Sequence, residues 1–270
     1  MQSSKVFQLT VLCAALGVSA VANAAVVNST SITGNVITGT GIANGNNFSV
    51  DTNNGIEIGL RARVRYPAPT GVTNNVVGTN VYNHATGGYT SGGVLGGGRA
   101  GWNFDWSINT GTASIGAYTY RIDIDYNAGL GTNFQSFDLI NAVNPNPAAG
   151  GLALWDHSFG NNGTAQSAGI EATGATLAAA LADYNNLEAS NNVVQNSWNL
   201  AFFQNGSFPF DPNANGQYTI RLAALGATGQ ELALSTIQVI VGTGATVPEP
   251  TSLALIGLAL VGLAATRRRA

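Results

Sequence analysis

The sequence predicts a mainly β protein, an antiparallel β-sandwich with one short helix, and three observations carry that prediction. Through the middle of the chain, apolar and polar residues alternate in runs the length of a strand. Gly, Asn and Pro turn signals bound the runs. No βαβ rhythm, which would mark a parallel sheet, interrupts them. The 270 residues suit one main domain, since all-β units often reach about 200 to 250 residues.

Composition narrows the function classes. Hydrophobic residues make up 45% and charged residues 9% of the chain, so it carries enough apolar surface for a core and is not of the disordered class. The formal charge is −3, but Lys5, Arg267, Arg268 and Arg269 all lie in the terminal segments and leave the middle acidic. That excludes nucleic acid as the expected partner, because phosphate binding needs a basic surface.

The chain begins with a basic residue, Lys5, an apolar run from Val6 to Val21, and the small-x-small triplet Ala22-Asn23-Ala24. Residues 1–24 therefore read as a secretory signal peptide, which signal peptidase would cut between Ala24 and Ala25. The single cysteine, Cys13, lies inside the apolar run. Cleavage would leave a mature chain without a thiol, which excludes disulfides, thiolate metal sites and a cysteine nucleophile.

Residues 25–243 form the expected β-sandwich domain. Its first stretch, residues 25–47, is rich in Asn, Gly and Thr and reads as an edge strand or a loose arm. Ile56, Ile58, Leu60, Ala62, Val64 and Tyr66 then alternate with Glu57, Gly59, Arg61, Arg63 and Arg65. Trp102, Phe104, Trp106 and Ile108 alternate with Asn103, Asp105 and Ser107; Tyr118, Tyr120, Ile122, Ile124 and Tyr126 alternate with Thr119, Arg121, Asp123 and Asp125. Each run predicts one face toward a core and one toward water.

Further strands are expected at residues 151–155, 198–203, 217–225 and 231–241. The last two form a hairpin, and a change of apolar phase within its second strand predicts a bulge near Ser235-Thr236. Residues 176–189, rich in Ala and Leu, place Leu177, Leu181, Tyr184 and Glu188 at helical spacing. Strands in this number with a single helix point to two packed antiparallel sheets, immunoglobulin-like or jelly-roll-like.

Candidate chemistry is sparse, and no cofactor is expected. Asp211, Asn213 and Asn215 in "DPNANG" match the first half of a calcium loop, where alternate oxygen side chains converge on a hard cation; position 12, however, is Leu222 in place of the bidentate Glu. The competing reading is a polar turn leading to Tyr218, placed like the tyrosine of a tyrosine corner. Arg61, Arg63 and Arg65 share one strand face and could hold an anionic polymer; ion pairs with runs such as Asp123 and Asp125 would explain them equally.

Asp156-His157-Ser158 contains the residue types of a hydrolase triad, yet neighbours in sequence cannot supply its geometry. Exposed Trp102, Trp106, Trp155 or Trp198 could stack on sugar rings, although Trp102 and Trp106 share the apolar face of Phe104, which favours burial. Asn28, Asn47, Asn162 and Asn205 begin Asn-x-Ser/Thr triplets.

Residues 244–270 comprise a linker and a tail. The tail runs Pro248-Glu249-Pro250, an apolar segment over residues 251–266, then Arg267, Arg268 and Arg269. At about 1.5 Å per helical residue, the apolar segment is a marginal span for a hydrocarbon core of roughly 30 Å. The arginines would stay on the cytoplasmic side and leave the bulk of the chain outside.

Motif, spacing and terminal position together resemble the PEP-CTERM sorting signal of bacterial surface and exopolysaccharide-associated proteins. The resemblance implies recognition of the tripeptide by an exosortase, a membrane-embedded cysteine transpeptidase-like enzyme, and removal of the tail during sorting. A plain tail anchor is the competing reading. The expected product is an exported, non-enzymatic cell-surface or extracellular-matrix protein, held by the membrane only transiently through its C-terminal helix. The alternative is a secreted carbohydrate-binding module associated with exopolysaccharide.

Overall fold

The computed structural model describes residues 26–33, 42, 44–141, 156–163 and 169–245. The signal segment with Ala22, Ala24 and Ala25, the expected strand at 151–155 with Trp155, and the tail from residue 246 onward lie outside the described residues. So do Pro248, Glu249, Pro250, the apolar span 251–266 and the three terminal arginines. Among the described residues the chain is mainly β, with thirteen strands and one α-helix, and no helix is long and apolar enough to cross a membrane.

Strands β1 (Val27–Thr30), β2 (Phe48–Asn53) and β3 (Ile56–Val64) come first. Asn54 and Gly55 close the β2–β3 hairpin with φ of 51° and 76°, the left-handed pair that a two-residue hairpin turn demands. Short strands β4 (Val81–His84), β5 (Gly88–Tyr89) and β6 (Arg99–Ala100) lead to β7 (Trp102–Asn109). Next come β8 (Thr119–Asp125), β9 (Phe134–Phe137) and β10 (Ser158–Gly160). Helix α1 (Leu177–Ser190) precedes β11 (Val193–Trp198), and the hairpin of β12 (Gly216–Leu225) and β13 (Glu231–Val241) follows.

The strands form two large sheets. One has the order β1-β2-β3-β7-β11-β10 and is antiparallel throughout; the other has the order β4-β13-β12-β8-β9. The second departs from the expected antiparallel pattern at one edge, where β4 pairs parallel to β13, Val81 opposite Gln238 and His84 opposite Val241. Ile58, Leu60, Phe104 and Trp106 from the first sheet share one buried cluster with Ile122, Ile220, Leu222, Ile237 and Val239 from the second. Burying each such side chain contributes about 1.5–3 kcal/mol relative to exposure, and this shared cluster is the main store of stability in a fold without disulfides.

The six-stranded sheet is covered on both faces, which the alternation does not anticipate. Every residue of β7 and β11 is buried, as are Ile56 to Arg63 of β3. On the face turned away from the other sheet, Ile32, Ile42, Phe48 and Val50 make a second small cluster. Gly59 permits this: a Cβ there would lie 2.8 Å from Ile32 Cγ2, so the strand has no room for a side chain under that cover. By contrast, β13 keeps a one-sided pattern, buried at Ala233, Ser235, Ile237, Val239 and Val241 and half-buried between them.

That pattern removes the bulge expected near Ser235-Thr236. Pairing of β12 with β13 runs unbroken from Gly216 opposite Val241 to Ala224 opposite Ala233, and the register shifts only between Ala224 and Leu225. Ser235 fills a core-facing position because its hydroxyl donates to Ser49 O at 2.7 Å, so a polar residue follows the apolar phase without a slip.

Two further expectations change. Residues 198–203 are not a strand; β11 ends at Trp198, and Leu200–Phe202 make one turn of 3-10 helix capped by Asn199. The helix lies at the expected place, with Thr176 Oγ1 accepting from Ala179 N as its cap. Its buried face is Ala180, Tyr184 and Leu187, whereas Leu177 and Leu181 are about half exposed, at 49% and 46%.

Candidate functional site

The side chains proposed to hold an anionic polymer lie inside the fold. Arg61 and Arg63 project from β3 on the covered face, and both are fully buried. Antiparallel register places Asp105 of β7 directly opposite Arg61. Asp105 Oδ2 accepts from Arg61 Nε at 2.9 Å and from Arg63 Nε at 2.7 Å; Arg61 Nη2 lies 2.8 Å from the same oxygen without hydrogen-bond alignment.

The outer nitrogens of the arginines tie down loops. Arg61 Nη1 donates to Asn44 Oδ1 at 2.8 Å and Asn46 O at 2.7 Å, and its guanidinium sits 4.5 Å over the Phe48 ring. Arg63 Nη1 donates to Thr70 O at 3.1 Å. Arg65 differs: it is half-buried and lies 5.3 Å over the Tyr66 ring.

Two cations and one anion thus share a dry layer, with Asp105 Oδ1 and Arg63 Nη2 left without hydrogen-bond partners. Such a cluster can clip loops to a sheet, but it cannot reach a polymer in solvent. The ion pairing expected with the β8 aspartates is also redistributed. Asp123 pairs with Arg121 at 3.1 Å and lies 3.9 Å from Arg221, while Asp125 accepts from Asn127 N at 2.9 Å and Asn133 N at 2.7 Å.

The "DPNANG" segment is a turn whose side chains face different neighbours. Asp211 Oδ1 accepts from Asn213 N at 2.9 Å, Asn213 Oδ1 from Gly88 N at 3.1 Å, and Asn215 Oδ1 from Thr243 N at 3.1 Å. Among the described residues no group of three or more His, Cys, Asp or Glu side chains is placed to hold a metal. Tyr218 packs between Trp102 and Phe210, with centroids 6.3 and 5.8 Å away. Tyr120 makes the back-bond expected of Tyr218, its hydroxyl donating to Ile115 O at 2.8 Å, five residues upstream.

His157 belongs to the core as well. It is fully buried, with Nε2 2.8 Å from Leu139 O, Nδ1 3.0 Å from Asn196 Nδ2, and its ring edge-on to Trp106 at 5.0 Å. Burial pushes its pKa down to about 3. His84 ends β4 and stacks on Trp102 at 5.8 Å; burial lowers its pKa to about 4. Trp102, Trp106 and Trp198 are at most 2% exposed, so they offer no stacking platform for a sugar. Of the triplet asparagines, Asn47 Nδ2 donates to Thr73 Oγ1 and Asn162 Nδ2 to Gly111 O, while Asn205 is exposed.

Sequence reading missed the residues that organise this face, Asp105 and Asn199. Asn199 Nδ2 lies within 3.0 Å of Ala100 O, Trp102 O and Asn103 Oδ1, and its Oδ1 accepts from Ala100 N, which fixes the entry to β7. The available signal for Asp105 was the register: once the two strands pair, Arg61 falls opposite Asp105 and Arg63 falls two places along, opposite Asn103.

The described chain ends by fastening the exit of β13. Gly242 N donates to His84 O at 2.8 Å, Thr243 N to Asn215 Oδ1, and Gly244 N to Val241 O at 3.1 Å. Gly242 and Gly244 have φ of 62° and 78°, which suits a reversal that a side chain would resist. Directly after this knot, residues 246–269 match the PEP-CTERM protein-sorting motif. No curated protein and no solved structure matches the chain. The chain therefore carries a PEP-CTERM sorting motif, the mark of a secreted protein that is sorted by an exosortase.

Proposed function

We propose that this chain is an exported, non-enzymatic β-sandwich protein, delivered to the cell surface or extracellular matrix after its sorting tail is removed. The observation that carries the reading is the sorting motif at residues 246–269, placed directly behind a folded β domain. Two sheets sharing one core support the sandwich architecture. The commitment of Arg61, Arg63, His157 and three tryptophans to the interior supports a structural role for the domain.

The sorting motif follows closely in sequence. Gly244 makes the last backbone hydrogen bond of the described chain, and four residue steps separate it from Pro248. Those steps span at most about 14 Å, so an enzyme acting at Pro248-Glu249-Pro250 works close against the folded domain. Signal peptidase would act at the other end of the molecule. Val26 lines the same cavity as Leu234 near the start of β13, and the chain leaves that strand at Val241, roughly 23 Å further along.

Intact-mass measurement on medium, surface and membrane fractions tests the reading. A released or surface species lacking both residues 1–24 and the tail is the expected product, and Glu249→Ala should shift it toward a membrane form that keeps the arginines. Finding the complete C-terminus only in the inner membrane, with the unaltered motif, would overturn the proposal.

A further inference from the structure

A cavity of about 210 Å³ opens where β1 and β2 meet the start of β13, lined by Val26, Asp51, Asn53, Glu231 and Leu234 among others. Asp51 is the unusual residue. It is 5% exposed, its Oδ2 accepts from Leu234 N at 2.7 Å, and its Oδ1 has no partner. A buried carboxylate oxygen without a donor costs free energy, and a cation placed beside it recovers that loss.

The other charges around the cavity are already engaged. Glu231 accepts from Arg121 Nη2 at 2.7 Å and lies 3.8 Å from Arg221 Nη2; both arginines also face Asp123. Asn54 Nδ2 donates to Leu232 O. That leaves Asp51 as the one lining carboxylate with no cationic partner among the described residues. Its burial also pushes the pKa above the ordinary carboxylate value, as expected for an uncompensated charge.

The sequence next to the cavity offers a source for such a cation. Val27 pairs with Val50, Val26 lines the cavity together with Asp51, and Ala25 precedes Val26 in the sequence. Before cleavage Ala25 contributes a neutral peptide N–H; cleavage after Ala24 would turn that nitrogen into an ammonium group. We propose that this cavity is a binding site for a primary ammonium, and that its ligand is the chain's own α-ammonium at Ala25, created when residues 1–24 are removed. The inference rests on the export reading above. Maturation then adds a charge-assisted hydrogen bond that fastens the edge strand β1 across to β13.

The chain supplies an unusually clean assay, because its only lysine is Lys5, within the removed segment. In the mature protein the α-amine is the only primary amine. Reductive methylation with 13C-formaldehyde therefore gives a single labelled site whose titration can be followed by NMR. The expected midpoint lies about one unit above the ordinary α-amino value of roughly 7.7–8.0. Asp51→Asn, which keeps an acceptor for Leu234 N, should return it to that range.

A chain extended by Gly-Ser before Ala25 should melt lower than the mature form, and Asp51→Asn should cancel that difference. An ordinary amine midpoint, equal in the unaltered and Asp51→Asn proteins, overturns the pairing while leaving the export reading intact. A secreted protein whose mass shows a start elsewhere than Ala25 overturns both the cleavage site and the pairing.

Discussion

Replacing Asp105 by Ala should be the most damaging single change on the covered face of the six-stranded sheet. The substitution removes the one carboxylate that balances Arg61 and Arg63, both fully buried, together with hydrogen bonds of 2.9 and 2.7 Å. Breaking a buried ion pair from one side costs about 3–5 kcal/mol, because the remaining charge stays desolvated without compensation. For a domain of this size each kcal/mol moves the melting midpoint by about 2–4 °C, so the drop should fall between roughly 6 and 20 °C.

Urea unfolding followed by tryptophan fluorescence is a suitable readout, since Trp106 adjoins Asp105 and is buried in the core. Asp105→Asn keeps an acceptor and loses only the charge, so its cost should be intermediate. Exchanging Arg61, Arg63 and Asp105 together for apolar residues of similar volume should recover most of the loss, because no charge is then left desolvated. A loss below about 1 kcal/mol for Asp105→Ala, with an unchanged denaturant slope, would match an exposed ion pair and refute the reasoning.

Two other predictions follow from the buried side chains. His84 and His157 have folded pKa values of about 4 and about 3, below the unfolded value of roughly 6.5, so the unfolded chain binds more protons as pH falls. Their contribution is complete above pH ~6.5 and is lost below it, by about 1.4 kcal/mol per pH unit for each histidine until its folded pKa is reached. His84→Phe, which keeps the stack on Trp102, should remove about half of that acid dependence between roughly pH 6 and 4.5; an unchanged slope would count against it. On helix α1, Leu181→Ala should change stability by less than about 0.5 kcal/mol, whereas Leu187→Ala should cost about 2–5 kcal/mol. Equal effects in thermal melts would restore the face that simple helical spacing suggests.

Local chemistry made much of this protein legible. Alternation located β3, β7, β8, β12 and β13 to within a residue or two, because a strand against a core must repeat every second position. Ala and Leu content with helical spacing placed α1 to within a residue, and Thr176 caps its first turn from within the same segment. The sorting motif was readable for the same reason: a tripeptide, an apolar run and an Arg cluster are a contiguous signal, and residues 246–269 match it.

Short strands were harder. β5 and β6 hold two residues each, too few for a period to show, and β11 reads Val-Val-Gln-Asn-Ser-Trp because polar residues fill buried places on both of its faces.

Contacts between distant segments decided the rest. Whether Arg61 and Arg63 meet water or Asp105 depends on Ile32, Asn44, Asn46 and Thr70 lying over the sheet, and alternation looks the same with or without that cover. Ser235 could follow the core phase only because Ser49, 186 positions earlier, offers its carbonyl. By itself the sequence determined the strand period, the place of the helix and the sorting motif. Which polar residues are interior, and so withdrawn from any ligand, was decided by tertiary packing, because the cost of burying a charge is set by partners that only the fold brings near.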